Sequence, residues 1–218
     1  MFGTFNVISL GVWQQPLLVG AWFGLLHALD ADHLSTLSGL AVGDRSMSAT
    51  GYAIRWACGH AATLGSIALL VIGLGLWNLT ALSAYAEILV GILLVLLGLR
   101  ALRLGLQHGR AEDSRLAYSH VRGAGLLMGA LHGGAGSAAV LALIPLSGYQ
   151  SGVQSLLYLA SFSMGVAASA LAFSAGFARL LSRSRTSIGR LGAVLPATVG
   201  IFAVATGGTL LFGGMHVG

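Results

Sequence analysis

The sequence predicts an all-α polytopic membrane protein: six transmembrane helices in an inverted 3+3 repeat, forming one domain over residues 1–218. Three observations predict it. First, 56% of the residues are hydrophobic and only 8% are charged, whereas soluble domains carry about 25% charged residues. Second, six stretches reach the roughly 20 apolar residues that a helix needs to cross a bilayer. They lie at about 16–42, 52–77, 81–106, 123–146, 152–178 and 193–214. Third, the arginines fall in alternate connections. Arg45 and Arg55 lie between spans one and two; Arg100, Arg103, Arg110, Arg115 and Arg122 around the connection from three to four; Arg179, Arg183, Arg185 and Arg190 between five and six. Positive residues mark cytoplasmic loops, so the sequence predicts both termini on the outer side of a cytoplasmic (inner) membrane.

Span one is interrupted by charge. Its apolar run carries His27-Ala28-Leu29-Asp30-Ala31-Asp32-His33, four ionisable side chains in seven residues. Such groups in a span are expensive and are usually functional. Imidazoles with carboxylates suit divalent transition metals. With successive residues about 100° apart on a helix, His27, Asp30 and His33 drift along one broad face and Asp32 falls roughly opposite. Either the helix is distorted there, or the carboxylates orient histidines that bind the ion; the spacing leaves Asp30 and Asp32 undecided between these roles.

Span two carries Cys58-Gly59-His60. His60 is a candidate ligand, and Cys58, two residues away, belongs to another face and is expected in packing. In span three, Glu87 is expected near the membrane interface. His108 and His120, in an arginine-bearing connection, are expected to be solvated. Span four brings the last candidate ligand, His132, and His216 near the end is expected to be incidental. The candidate metal set is therefore His27, Asp30, Asp32, His33, His60 and His132.

The repeat rests on offsets. Gly24-Leu25-Leu26-His27 is similar to Gly129-Ala130-Leu131-His132 at an offset of 105 residues. Gly59 with Ala61-Ala62-Thr63 matches Gly165 with Ala167-Ala168-Ser169 at 106, and Val90-Gly91-Ile92 matches Val199-Gly200-Ile201 at 109. The first repeat covers about 16–106 and the second about 123–214. Three spans per repeat invert the second half, and inverted repeats place substrate sites at the midplane between halves. The 33 glycines suit close helix packing in lipid.

Other classes are excluded. The net charge of +5 is confined to short connections, which argues against nucleic acid. One cysteine allows no internal disulfide, and the absence of a basic residue before Arg45 predicts no cleaved signal peptide. No G-x4-G-K-[ST] motif occurs, so nucleotide drive would need an accessory subunit.

His27 to His33 matches the His-x4-Asp-His signature of the nickel/cobalt transporter (NiCoT) family, including the intervening alanine-rich spacing, and Gly59-His60 resembles its second histidine motif. In the second half, Leu131-His132-Gly133-Gly134-Ala135-Gly136-Ser137-Ala138 stands where longer members carry Gly-Phe-Asp-Thr; this variant resembles the short urease-accessory (UreH-like) branch of the wider NicO superfamily. The resemblance implies a multi-pass permease, not an enzyme, that moves Ni2+ or Co2+ as substrate with no permanently bound cofactor. It also implies that His27, Asp32, His33 and His60 are needed for transport. Its expected partners are the metal ion and the lipid bilayer, with a possible oligomer or accessory subunit. The alternatives are a metal exporter of the same superfamily and an intramembrane zinc enzyme. The latter lacks a His-Glu-x-x-His motif or a nearby glutamate base.

Overall fold

The computed structural model describes residues 14–42, 48–74, 80–107, 123–135, 149, 151–186 and 190–215. Their regular structure is entirely helical. The seven helices are α1 (Gln14–His27), α2 (Ala31–Ala41), α3 (Ala49–Leu74), α4 (Thr80–Leu106), α5 (Ala124–Gly134), α6 (Gly152–Thr186) and α7 (Arg190–Met215).

Among the described residues, three helices contain segments long and apolar enough to cross a membrane: Ser83–Leu106 in α4, Gly152–Arg183 in α6 and Ala193–Gly213 in α7. They coincide with the expected spans three, five and six. Helix α3 covers most of expected span two, and its 26 residues reach about 39 Å at 1.5 Å per residue. Helix α5 covers the start of expected span four, whose remainder lies outside the described residues.

Expected span one is two helices. The chain leaves α1 at His27 and re-enters helix at Ala31, with Asp30 extended at φ −60° and ψ 147°. The turn is closed by the Asp30 N–H donating to the His27 carbonyl at 3.1 Å. Aspartate favours helix starts over helix interiors, because its side chain offers the backbone alternative partners. Here that side chain turns back to the His27 ring. With the backbone extended at Asp30, the distorted-helix alternative holds. A turn of the same form ends α5, where Ala135 is extended at φ −89° and ψ 142°. Its N–H donates to the His132 carbonyl at 3.3 Å.

The helices pack in close pairs: α1 on α6, α3 on α5 and α4 on α7, with α3 also against α6. Glycine makes these approaches possible. A Cβ on Gly24 would strike the Phe162 carbonyl, and one on Gly129 the Trp56 carbonyl. Gly59 meets the Leu126 carbonyl, and Gly165 the Ala21 carbonyl. On the α4–α7 face, a Cβ on Gly98 would lie 2.7 Å from the Gly200 carbonyl oxygen, and one on Gly91 2.9 Å from that of Gly207.

The main core gathers Tyr52, Trp56, Tyr158, Phe162, Leu37, Leu40, Leu64 and Met128. A second cluster joins Ala101, Phe177, Leu181 and Val199 to the end of α2. His33, His60 and His132 lie inside the first core, each at most 2% exposed. Cys58 departs from expectation. It is exposed, because two residues of helix turn it about 200° from His60, away from the bundle. Glu87 is half-buried on α4. His108, His120 and His216 lie outside the described residues.

Candidate metal centre

The break between α1 and α2 builds the site. Ending α1 at His27 and restarting at Ala31 frees His27 and His33 from one helical register. Their rings meet with centroids 4.6 Å apart. Helix α3 delivers the third imidazole, with His60 5.5 Å from His27 and 5.7 Å from His33. One nitrogen from each of His27, His33 and His60 lies within 4.8 Å of the others, so these three could hold a metal ion.

The carboxylates set the rings. His27 Nδ1 lies 3.1 Å from Asp30 Oδ2, and His33 Nδ1 lies 2.9 Å from Asp32 Oδ1, which also accepts the His33 backbone N–H. A carboxylate accepts, so each Nδ1 carries the hydrogen and each Nε2 keeps its lone pair. This is the carboxylate–histidine arrangement that orients metal-binding imidazoles and raises their basicity. His33 Nε2 and His60 Nδ1 are buried with no hydrogen-bond partner among the described residues. Buried ring nitrogens are normally partnered; two unpartnered ones on rings of the same three-histidine set fit a cation.

Asp30, Asp32 and His33 form a second group whose ligand atoms approach within 4.8 Å. Asp30 is half-exposed while His33 is buried, so this group spans the boundary of the core. The structure thus brings all six expected site residues into one neighbourhood.

His132 borders the three-histidine set. Its ring lies 5.1 Å from that of His33. Both its nitrogens have neighbours: Nδ1 donates to the Met128 carbonyl at 2.7 Å, which leaves Nε2 to accept from the Thr36 hydroxyl at 3.2 Å. That Nε2 is also 3.9 Å from Asp32 Oδ2. His132 therefore touches the carboxylate that orients His33.

Three residues not anticipated from the sequence complete the surroundings. Trp56 lies 4.9 Å from His33, 5.1 Å from His60 and 5.8 Å from His132, centroid to centroid. Phe162 lies 5.5 Å from His27. Thr36 anchors His132. Helical spacing held a signal for two of them: Trp56 is one turn before His60, and Thr36 one turn after Asp32. Phe162 gave none, since only tertiary packing brings α6 to His27. The fold and the site together define an all-helical protein with apolar helices of membrane-spanning length and a buried histidine–carboxylate cluster. No protein-family model, curated protein or solved structure matches the chain.

Proposed function

We propose that this chain is a membrane permease whose substrate is a divalent transition-metal ion, nickel first and cobalt second. The observation that carries the reading is the convergence of His27, His33 and His60, with two of their rings held by carboxylates and buried nitrogens left without partners. Imidazole nitrogens suit borderline metals over calcium or magnesium. The likeness of residues 27–33 and 59–60 to the nickel/cobalt transporter signatures supports the same class.

The proposed frame is six spans in an inverted 3+3 repeat, with α1 and α2 together forming span one, α3 and α4 completing the first half, and α5, α6 and α7 belonging to the second. Exchange between halves supports it. Adding about 105 residues carries the Gly24–Phe162 contact onto Gly129–Trp56, and Gly165–Ala21 onto Gly59–Leu126, with the roles of the halves reversed. An offset of 109 carries Gly91–Gly207 onto Gly200–Gly98. The turns closed on the His27 and His132 carbonyls correspond in the same way. Broken helices of this kind line the substrate sites of inverted-repeat transporters. The polar break then lies near the midplane, where an ion sheds water onto the imidazoles and must also leave them.

The test is uptake of radiolabelled nickel into proteoliposomes containing this chain alone. Accumulation above protein-free vesicles is expected, and its absence from correctly inserted protein would overturn the permease reading.

A further inference from the structure

Trp56 is the largest fully buried side chain among the described residues. Its indole Nε1–H has no hydrogen-bond partner there. A buried indole N–H normally finds an acceptor, because leaving it unpaired forfeits its hydration. The surrounding frame accounts for an aromatic ring at this place, but not for the N–H. Phe162 occupies the matching place 106 residues on: its carbonyl faces Gly24 as that of Trp56 faces Gly129, and its ring lies 5.5 Å from His27 as that of Trp56 lies 5.8 Å from His132. Phenylalanine fills that place without a polar atom.

The unpartnered atoms around Trp56 are of two kinds. His33 Nε2 and His60 Nδ1 call for a cation or a proton, and Trp56 Nε1 calls for an acceptor. Three imidazoles provide three of the four positions of a tetrahedral site. An ion that retains one oxygen ligand satisfies both demands at once. We infer that Trp56 is the fourth binding group: the cation occupies the three-histidine set still carrying one water or hydroxide, and that oxygen accepts the Trp56 N–H. This inference rests on the metal reading above. A retained oxygen ligand suits a carrier, since an ion not fully wrapped by protein leaves more readily.

The test uses the full chain purified in detergent, as wild type, Trp56→Phe and His33→Ala. Ni2+ and Co2+ affinities are measured by calorimetry, and azide is titrated against the visible bands of the Co2+-loaded protein. Trp56→Phe retains a ring like that of Phe162 and removes only the donor and some bulk. Its Kd should rise about tenfold, the order expected for losing a hydrogen bond to a charged group. The azide concentration that changes the Co2+ bands should then shift, because azide replaces the oxygen that the indole holds. A purely packing role would leave the azide response unchanged. Ultraviolet resonance Raman of the wild type needs no variant: on Zn2+ loading, the indole hydrogen-bond band should shift toward its bonded position. Wild-type affinity and azide response in Trp56→Phe, with binding lost in His33→Ala, would overturn the Trp56 assignment alone, as would an unshifted Raman band. Failure of the wild type to bind Ni2+, Co2+ or Zn2+ would overturn the metal reading and this inference with it.

Discussion

His33 connects every part of the candidate centre. Its Nδ1 is held by Asp32, its Nε2 is unpartnered in the core, and its ring touches His27, His60, His132 and Trp56. His33→Ala should therefore abolish high-affinity Ni2+ binding, measured by calorimetry on detergent-solubilised protein. Asp32→Asn keeps the size and an oxygen, but removes the charge that fixes the ring. Affinity should fall about 10–100-fold, the usual effect of losing the carboxylate behind a metal-bound histidine. Asp30→Asn should act in the same direction on His27 but less, because Asp30 is half-exposed and its charge is screened by solvent. Equal affinities for the wild type and Asp32→Asn would show that the carboxylate does not tune the site. The residues of this centre were largely legible in the sequence, because four ionisable groups in an apolar run need a purpose. The division of labour was not legible. Sequence spacing left Asp30 and Asp32 undecided between ligand and orienting roles; the structure pairs Asp30 with His27 and Asp32 with His33. Trp56 and Phe162 look like ordinary core aromatics until their neighbours are known.

Helices in this chain approach by their glycines. At Gly24 and Gly129 the opposing atom is a backbone carbonyl, which cannot turn aside as a side chain can. Gly129→Ala should destabilise the α3–α5 pair by about 1–3 kcal/mol, the usual penalty of overpacking. Thermal unfolding in detergent, followed by circular dichroism, measures it. Gly65→Ala is the control: a Cβ there meets nothing within 4 Å, and alanine is the better helix former by about 0.5–1 kcal/mol. It should be neutral or slightly stabilising. If both alanines behave alike, the close pairing is not what holds α3 to α5. The abundance of glycine in the sequence pointed to close packing, but not to which helices meet. That depends on docking, which composition does not encode. Of the expected spans, three match apolar helices of crossing length. These are the stretches whose apolar residues outweigh the few charges they carry, so hydropathy finds them. Span one was legible as apolar but not as two helices, because hydropathy does not register the extended backbone at Asp30.

Across the whole molecule, the arginines and the repeat lead to separate tests. With basic residues in or beside alternate connections, the proposed arrangement places both termini outside and the Arg110–Arg115 connection inside. A tag at either terminus should be accessible in intact cells, and a cysteine introduced at Ser114 should resist an impermeant thiol reagent until the membrane is opened. Protected termini with a labelled Ser114→Cys would reverse the orientation. The two halves also differ where it matters. In the proposed repeat the place of His60 falls at Val166, so a two-fold frame would carry a one-sided imidazole set. His132, the counterpart of His27 in the proposed repeat, lies against the His33 ring and near Asp32, but both its nitrogens are engaged by Thr36 and Met128. His132→Ala should therefore reduce nickel uptake partially, where loss of His33 removes it.

The most direct measurement of the central claim is nickel and cobalt uptake by proteoliposomes carrying His27→Ala, Asp32→Asn or His33→Ala protein, each checked for insertion and amount. The account predicts that every one of these single changes removes most of the transport seen with the wild type. Wild-type uptake by all three would contradict it, and the histidine–carboxylate cluster would then not be the path of a metal ion.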